Sequence, residues 1–194
     1  METSRFHFEK ALLQGVWQVN RKPIRDERGC FTRFFCQEEF SAIGLSAVTV
    51  QMNHSRSDLR GTVRGMHFQY APYAETKIVT CLHGKVFDVA LDLRASSPTY
   101  LQWFGLTLSA ERQNSLVIPP GVAHGFQTLT DHAEVFYLVS TAYSPDHEDG
   151  INPFDSAANI VWPVPVTEVS VRDQQRPLLI KDSFLGLGMD GERR

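Results

Sequence analysis

Long apolar runs are missing from this chain, and that absence excludes a class at once. No window approaches the roughly 18 consecutive apolar residues of a membrane-spanning helix. The opening METSRFHFEKALLQGV has no apolar centre of the kind a secretory leader carries. Surplus charge of one sign is missing too: 19 Lys and Arg stand against 22 Asp and Glu, a net charge of −3, with a sequence pI of about 6.1. That balance argues against a nucleic-acid or membrane partner, while a local basic pocket for a small anion stays compatible with it. Cysteine is scarce. Cys30, Cys36 and Cys81 are odd in number and have no zinc-finger spacing. They read as free thiols of a reducing compartment, the cytoplasm, with a Cys30–Cys36 bridge as the alternative. Internal repeats and low-complexity linkers are absent, and helical periodicity is thin.

What is present is strand. The 194 residues, 42% hydrophobic and 21% charged, suit one globular domain with a sizeable core. KIVTCL (77–82), KVFDVALDLR (85–94), FGLTLS (104–109), SLVIP (115–119) and EVFYLVSTAY (134–143) are rich in β-branched and aromatic residues. Turn signals at 83–84, 96–98, 119–121 and 130–131 separate them. Short strands at this spacing predict an all-β sandwich or barrel. EEFSAIG (38–44) is a candidate short helix ended by Gly44, and LLIKDSFLGLG near the C-terminus is ambiguous. After Pro163 the composition changes to that of an extended tail.

In KVFDVALDLR, Phe87, Val89, Leu91 and Leu93 share one face, and Val86, Asp88, Ala90 and Asp92 share the other. An open sandwich puts the carboxylate face in water; a barrel with a polar interior puts Asp88 beside a ligand. Periodicity does not choose. His67, in RGMHFQ (64–69), sits in an apolar strand, and a lone strand histidine is more often structural than catalytic. Arg64 has the opposite parity from His67, so a regular strand points them apart unless Gly65 hosts a bulge. His124 follows the tight turn of IPPGVAHGF, a placement that suits the mouth of a barrel.

A metal site competes for these histidines. Metal-binding double-stranded β-helices use two histidines one residue apart, a carboxylate and a further histidine, but here the second histidine is replaced by Gln69. Glu75, His83 and His124 are the remaining candidates, and the spacing offers no three-ligand cluster, so no metal is expected. Lys77, Arg64 and Arg28 are cations that water solvates by default. Tyr137 is mid-strand, where core packing is the default, and nothing local marks Asp173 in the tail.

The order of these residues says more than any one of them. The run RGMHFQ…ETKIVTCLHGKVFDVALDLRASSPTY…IPPGVAHGFQTL…EVFYL…YSP…VRD resembles the dTDP-4-dehydrorhamnose 3,5-epimerase family from about Arg25 to Asp173. The resemblance implies a cupin-type double-stranded β-helix, a jelly-roll barrel with short peripheral helices. It implies one domain over 1–194, with a core of about 25–163 and a C-terminal extension of 164–194. It also implies a homodimer, no cofactor and a nucleotide-sugar substrate. The implied activity is inversion of C3, C5 or both in a dTDP-4-keto-6-deoxyhexose, in deoxysugar biosynthesis.

The resemblance assigns roles residue by residue. His67 matches the general base and Asp173 its carboxylate partner. His124 and Asp88 match a second His–Asp pair, and Tyr137 matches the acid on the opposite face of the sugar. Lys77 and Arg64 match residues around the sugar and its keto oxygen. Arg28 matches a pyrophosphate contact that can come from the partner subunit, and Gln51 and Asn53 match a substrate-lining segment. The chemistry suits these types: a histidine titrates near neutral pH, a buried aspartate fixes its tautomer, and a cation stabilises the enolate. The chain departs from the family at Leu138, Ala142, Met52, Arg33 and 151–155, positions near substrate in family members. The sugar, the nucleotide base and the inverted carbon therefore stay open. A sugar 3,4-ketoisomerase, a metal-dependent cupin oxygenase and a non-catalytic sugar-nucleotide binder are the competing readings.

Overall fold

Alternating burial along the strands builds the molecule. The computed structural model describes residues 1–46, 49–179 and 184–193. It opens with β1 (Phe6–Lys10), β2 (Trp17–Arg21), β3 (Ile24–Asp26) and β4 (Gly29–Phe31). A short helix α1 (Gln37–Phe40) and a 3-10 turn (Ser41–Ile43) follow, ended by Gly44 at φ 78°. Then come β5 (Gln51–Ser57), β6 (Thr62–Gln69), β7 (Lys77–His83), β8 (Lys85–Asp92), β9 (Trp103–Ser109), β10 (Asn114–Ile118), β11 (Val122–Thr128) and β12 (Ala133–Val139). β13 (Glu148–Gly150), β14 (Glu168–Val169) and the one-turn helix α2 (Val171–Gln174) complete it.

Two sheets face each other. One has the order β1-β2-β10-β7-β12-β5, the other β13-β6-β11-β8-β9 with β14 running parallel beside β6. This is the cupin-type jelly roll, but as an open sandwich: among the described residues no ladder closes the two sheets into a barrel. Leu116, Ile118, Val79, Val135, Val86, Ala90 and Leu108 fill part of the space between them.

Both outer faces are also covered. Phe6, Phe8, Phe40, Val19, Ile78 and Val117 pack behind the six-stranded sheet, with α1 supplying Phe40. Leu91, Val89 and Leu93 pack behind the other sheet against Trp162, Leu179 and Leu187. That cover decides what the period of β8 left open. Asp88 and Asp92 are fully buried, not in water. Asp92 is neutralised by Arg94 at 2.8 Å and accepts from Ser97 and Thr99.

Several strands lay below the reach of the sequence. β1, β2 and β5 are polar on alternate residues and short of strong turn signals. Conversely, the strand read over 134–143 stops at Val139, and the one over 85–94 stops at Asp92. The ambiguous 178–188 segment falls partly on 180–183, outside the described residues. All three cysteines are free: Cys30 is exposed, Cys36 half-buried and Cys81 buried.

Candidate active site

β6 supplies the first histidine, and it does so through an irregularity. Its pairing with β11 runs His67↔His124 and then Arg64↔Phe126, so three steps on β6 oppose two on β11. The extra residue is absorbed at Gly65, whose φ of +123° is open to glycine. The parity conflict disappears, and Arg64 and His67 both line one cavity of about 740 Å³. That size suits a small-molecule ligand.

The tail supplies the partner. β14 pairs with the start of β6, Glu168 opposite Thr62, and the chain then turns into α2. Ser170 caps that turn by accepting from the Asp173 backbone N–H at 3.0 Å. Asp173 is thereby placed with its Oδ1 at 2.6 Å from His67 Nε2. Burial pulls the Asp173 carboxyl upward. The hydrogen bond and charge of His67, with the Gly65 and Ser170 groups, outweigh burial and hold it below the usual aspartate range.

A second pair stands beside the first. His124 on β11 holds Asp88 on β8 at 2.8 Å, Nε2 to Oδ1. Here burial wins: the fully enclosed Asp88 carboxyl is pushed up, against the pull of His124 and Lys77. Its other oxygen, Oδ2, has no hydrogen-bond partner. His124 lines the cavity, and Asp88 stands behind it.

The facing sheet supplies the opposite wall. Tyr137 on β12, Lys77 on β7 and Ser55 on β5 line the same cavity. Burial, and behind it the Glu75 carboxylate, push the Tyr137 phenol above its ordinary value, against the pull of Arg64. Lys77 Nζ lies 3.0 Å from Glu75 Oε1 and 3.4 Å from the His67 carbonyl oxygen. Arg64 donates to Ser57 Oγ at 3.0 Å and to the Arg56 carbonyl at 3.2 Å.

The remaining candidates lie elsewhere. Arg28 sits on the exposed β3–β4 hairpin, paired with Asp26 at 2.5 Å, and does not reach the cavity of its own chain. Gln51 and Asn53 share the β5 face that carries Ser55, joined by a 2.8 Å hydrogen bond, but do not line the cavity. Asn53 is registered opposite Tyr137. Leu138, one residue past Tyr137, points to the outer cluster with Ile78 and Phe40, away from the site. Met52 is exposed, and Arg33 is paired with Glu39 at 2.8 Å.

The sequence did not mark Arg172, Ser55 or Ser170 as site residues, and it offered Glu75 only as a candidate metal ligand. Arg172, paired with Glu148, is a cavity cation, and Ser55 and Ser170 are cavity hydroxyls. Glu75 is the carboxylate behind Lys77. Ser170-x-x-Asp173 is a helix-start signature that marks the α2 turn. Ser55 follows from the parity of Gln51 and Asn53 once β5 is known to be a strand. Gln69 donates to Glu75, to the Tyr73 carbonyl and to the Ala142 carbonyl. Among the described residues no group of three or more His, Cys, Asp or Glu gathers to hold a metal ion. No described helix is long and apolar enough to cross a membrane.

Comparison with known proteins places the sequence and the fold. A family model described as dTDP-4-dehydrorhamnose 3,5-epimerase matches residues 10–181. The chain is 47% identical over 153 residues to a dTDP-4-dehydrorhamnose 3,5-epimerase of Shigella flexneri, covering 78% of this chain and 84% of that one. It is 39% identical over 176 residues to a dTDP-4-dehydrorhamnose 3-epimerase of Streptomyces niveus, covering 90% and 84%. Among solved structures it is similar to NovW, a 4-keto-6-deoxy sugar epimerase from the novobiocin gene cluster of Streptomyces spheroides. The TM-score is 0.89 at 36% identity, covering 97% of this chain and 96% of that one.

Proposed function

This chain belongs to the dTDP-4-dehydrorhamnose 3,5-epimerase family, and we propose that His67, Asp173, Tyr137, Lys77, His124 and Asp88 perform its epimerisation. The observation that carries this reading is the placement of the His67–Asp173 pair, 2.6 Å apart, on one wall of a cavity whose other wall holds Tyr137. The substrate is a dTDP-4-keto-6-deoxyhexose, and the product feeds deoxysugar biosynthesis.

A proton on a carbon beside a ketone leaves because the charge moves onto the keto oxygen. His67 takes that proton from one face of the sugar. Asp173 keeps the ring in the correct tautomer and stabilises the imidazolium. The enolate oxygen carries the developing charge, and Lys77 and His124 stabilise it with donors fixed in advance. Tyr137, from the opposite sheet, returns a proton to the other face, which inverts the carbon. A phenol held above its ordinary value stays protonated for this step at neutral pH. The chemistry calls for neither a redox cofactor nor a Lewis acid, since the ketone itself acidifies the C–H bond.

The diphosphate needs cations. Arg172 lines the cavity, and its planar fork suits paired hydrogen bonds to phosphate oxygens. Arg28 joins it from a second copy in a homodimer. The β3–β4 hairpin supports this: it pairs with neither large sheet and exposes Ile24 and Phe31. Three free thiols agree with a reducing compartment, and the enzyme acts in the cytoplasm.

The test is deuterium wash-in from D₂O across a small panel of dTDP-4-keto-6-deoxyhexoses, followed by NMR. The expected result is incorporation at C3, C5 or both, which also identifies the inverted carbon. His67→Asn reduces exchange by at least about 10²-fold while retaining the fold. A panel without exchange, or a fully active His67→Asn, defeats the assignment.

A further inference from the structure

Glu75 belongs to none of the roles above, yet it is one of the best-anchored carboxylates near the cavity. Its side chain is 10% exposed and that of Lys77 is 11% exposed. Oε1 meets Lys77 Nζ at 3.0 Å, and Oε2 accepts from Gln69 Nε2 at 2.9 Å. With both oxygens engaged and Glu75 absent from the cavity lining, this carboxylate neither touches a ligand nor serves as a base.

Its anchors are also fixed. Gln69 Nε2 reaches the Tyr73 and Ala142 carbonyls, and Gln69 Oε1 accepts from the Ser144 backbone N–H at 2.7 Å. Thr76 N–H donates to Ser140 Oγ at 2.9 Å, and Ser140 N–H returns a bond to the Thr76 carbonyl at 3.1 Å. The turn before β7 is thus tied to the segment after β12, the strand of Tyr137. Among the described residues, the Lys77 ammonium meets the His67 carbonyl at 3.4 Å besides Glu75.

We infer that Glu75, clamped by Gln69, is a positioning residue that fixes the Lys77 ammonium for the enolate oxygen and keeps negative charge near the Tyr137 phenol. The inference deepens the proposed function and rests on its assignment of Lys77 and Tyr137. A lysine with four free torsions reorganises as charge develops, and a fixed one does not. The pair is neutral while the ketone is neutral, so no lone cation is stranded in the wall before reaction. Tyr137 is registered opposite Val79 on β7 and shares its face with Lys77, the ion-pair partner of Glu75. Their cavity is also lined by Arg64 and His67 from β6, His124 from β11, Glu168 from β14, and Arg172 and Asp173 from α2. Among charges, Glu75 and Arg64 are the ones that move its titration, in opposite directions.

Two variants separate charge from position. Glu75→Gln keeps the shape and removes the charge. Glu75→Asp keeps the charge and withdraws the carboxylate from Lys77. Two readouts are taken: the phenolate absorbance midpoint of the free enzyme, subtracted against Tyr137→Phe, and the saturating rate and KM of deuterium wash-in. Glu75→Gln is expected to lower the phenolate midpoint, and the basic limb of the rate profile, by about one pH unit. Its saturating rate falls by about 10²-fold with KM within about threefold. Glu75→Asp keeps the wild-type midpoint and loses about tenfold in rate. A Glu75→Gln enzyme with wild-type midpoint and rate overturns the inference, and so does a Glu75→Asp enzyme with wild-type rate and KM. A wild-type enzyme without exchange overturns the proposed function and the Lys77 half of this inference. The midpoint still decides the Tyr137 half by itself.

Discussion

Two aspartates hold two histidines in one cavity, and their electrostatics run in opposite directions. Asp173 is stabilised as a carboxylate by His67, the Gly65 N–H and Ser170, against the cost of burial. Asp88 is enclosed with one oxygen unpaired, and burial dominates. The Asp173 case has a pH consequence. Its folded value lies below its unfolded one, so its contribution to stability is complete above the ordinary aspartate range and disappears as pH falls through the folded value. Chemical denaturation between about pH 5 and pH 2 is therefore expected to lose stability less steeply in Asp173→Asn than in the wild type. The same variant loses about 10²-fold or more in wash-in rate, because the ring of His67 loses its tautomer lock. An unchanged acid slope removes the electrostatic account of this pair.

At the scale of elements, the bulge in β6 decides which side chains share the cavity. Gly65 and Gly125 pack backbone to backbone. A Cβ on Gly65 would stand 2.5 Å from Gly125 Cα and 2.8 Å from the His124 carbonyl oxygen, at a φ that L residues rarely adopt. A Cβ on Gly125 would stand 2.5 Å from Met66 Sδ. Gly65→Ala is expected to cost about 1–3 kcal/mol of stability. It should also lower the wash-in rate more than the stability loss explains, since it separates the strands that carry His67 and His124. Thermal melts and rates at a temperature where the variant is folded check both parts. The sequence reached this element: RGMHFQ posed a parity conflict between Arg64 and His67, and a glycine at the right place answered it. It did not reach β5, whose alternation of polar residues looks like loop until β12 pairs with it.

At the scale of the molecule, the proposed base and the proposed acid arrive from opposite sheets. His67 and His124 project from one, Tyr137 and Lys77 from the other, so a planar sugar between them is reached from both faces. The β3–β4 hairpin stands apart from both sheets with Ile24 45% and Phe31 64% exposed. Sedimentation is expected to give the mass of two chains, and Phe31→Asp to shift the equilibrium toward one, with weaker substrate binding as Arg28 leaves the partner's site. A fully active single chain rules out the shared site.

The sequence alone determined the all-β class, because period-two burial and β-branched composition follow from the geometry of a pleated strand. It also determined the chemical types at the site, because the order of His67, Lys77, Asp88, His124, Tyr137 and Asp173 is written in the chain. Only the tertiary structure decided which of them meet. Asp173 lies 106 positions from His67, and no local signal encodes a contact that the tail makes by running beside β6. Asp88 was ambiguous for the same reason: whether its face meets water depends on a second sheet and an outer cover contributed from elsewhere. Glu75 was legible only as a candidate metal ligand until folding placed Lys77 on one of its oxygens and Gln69 on the other. Contacts between distant segments come from packing, and a strand's own period does not contain them.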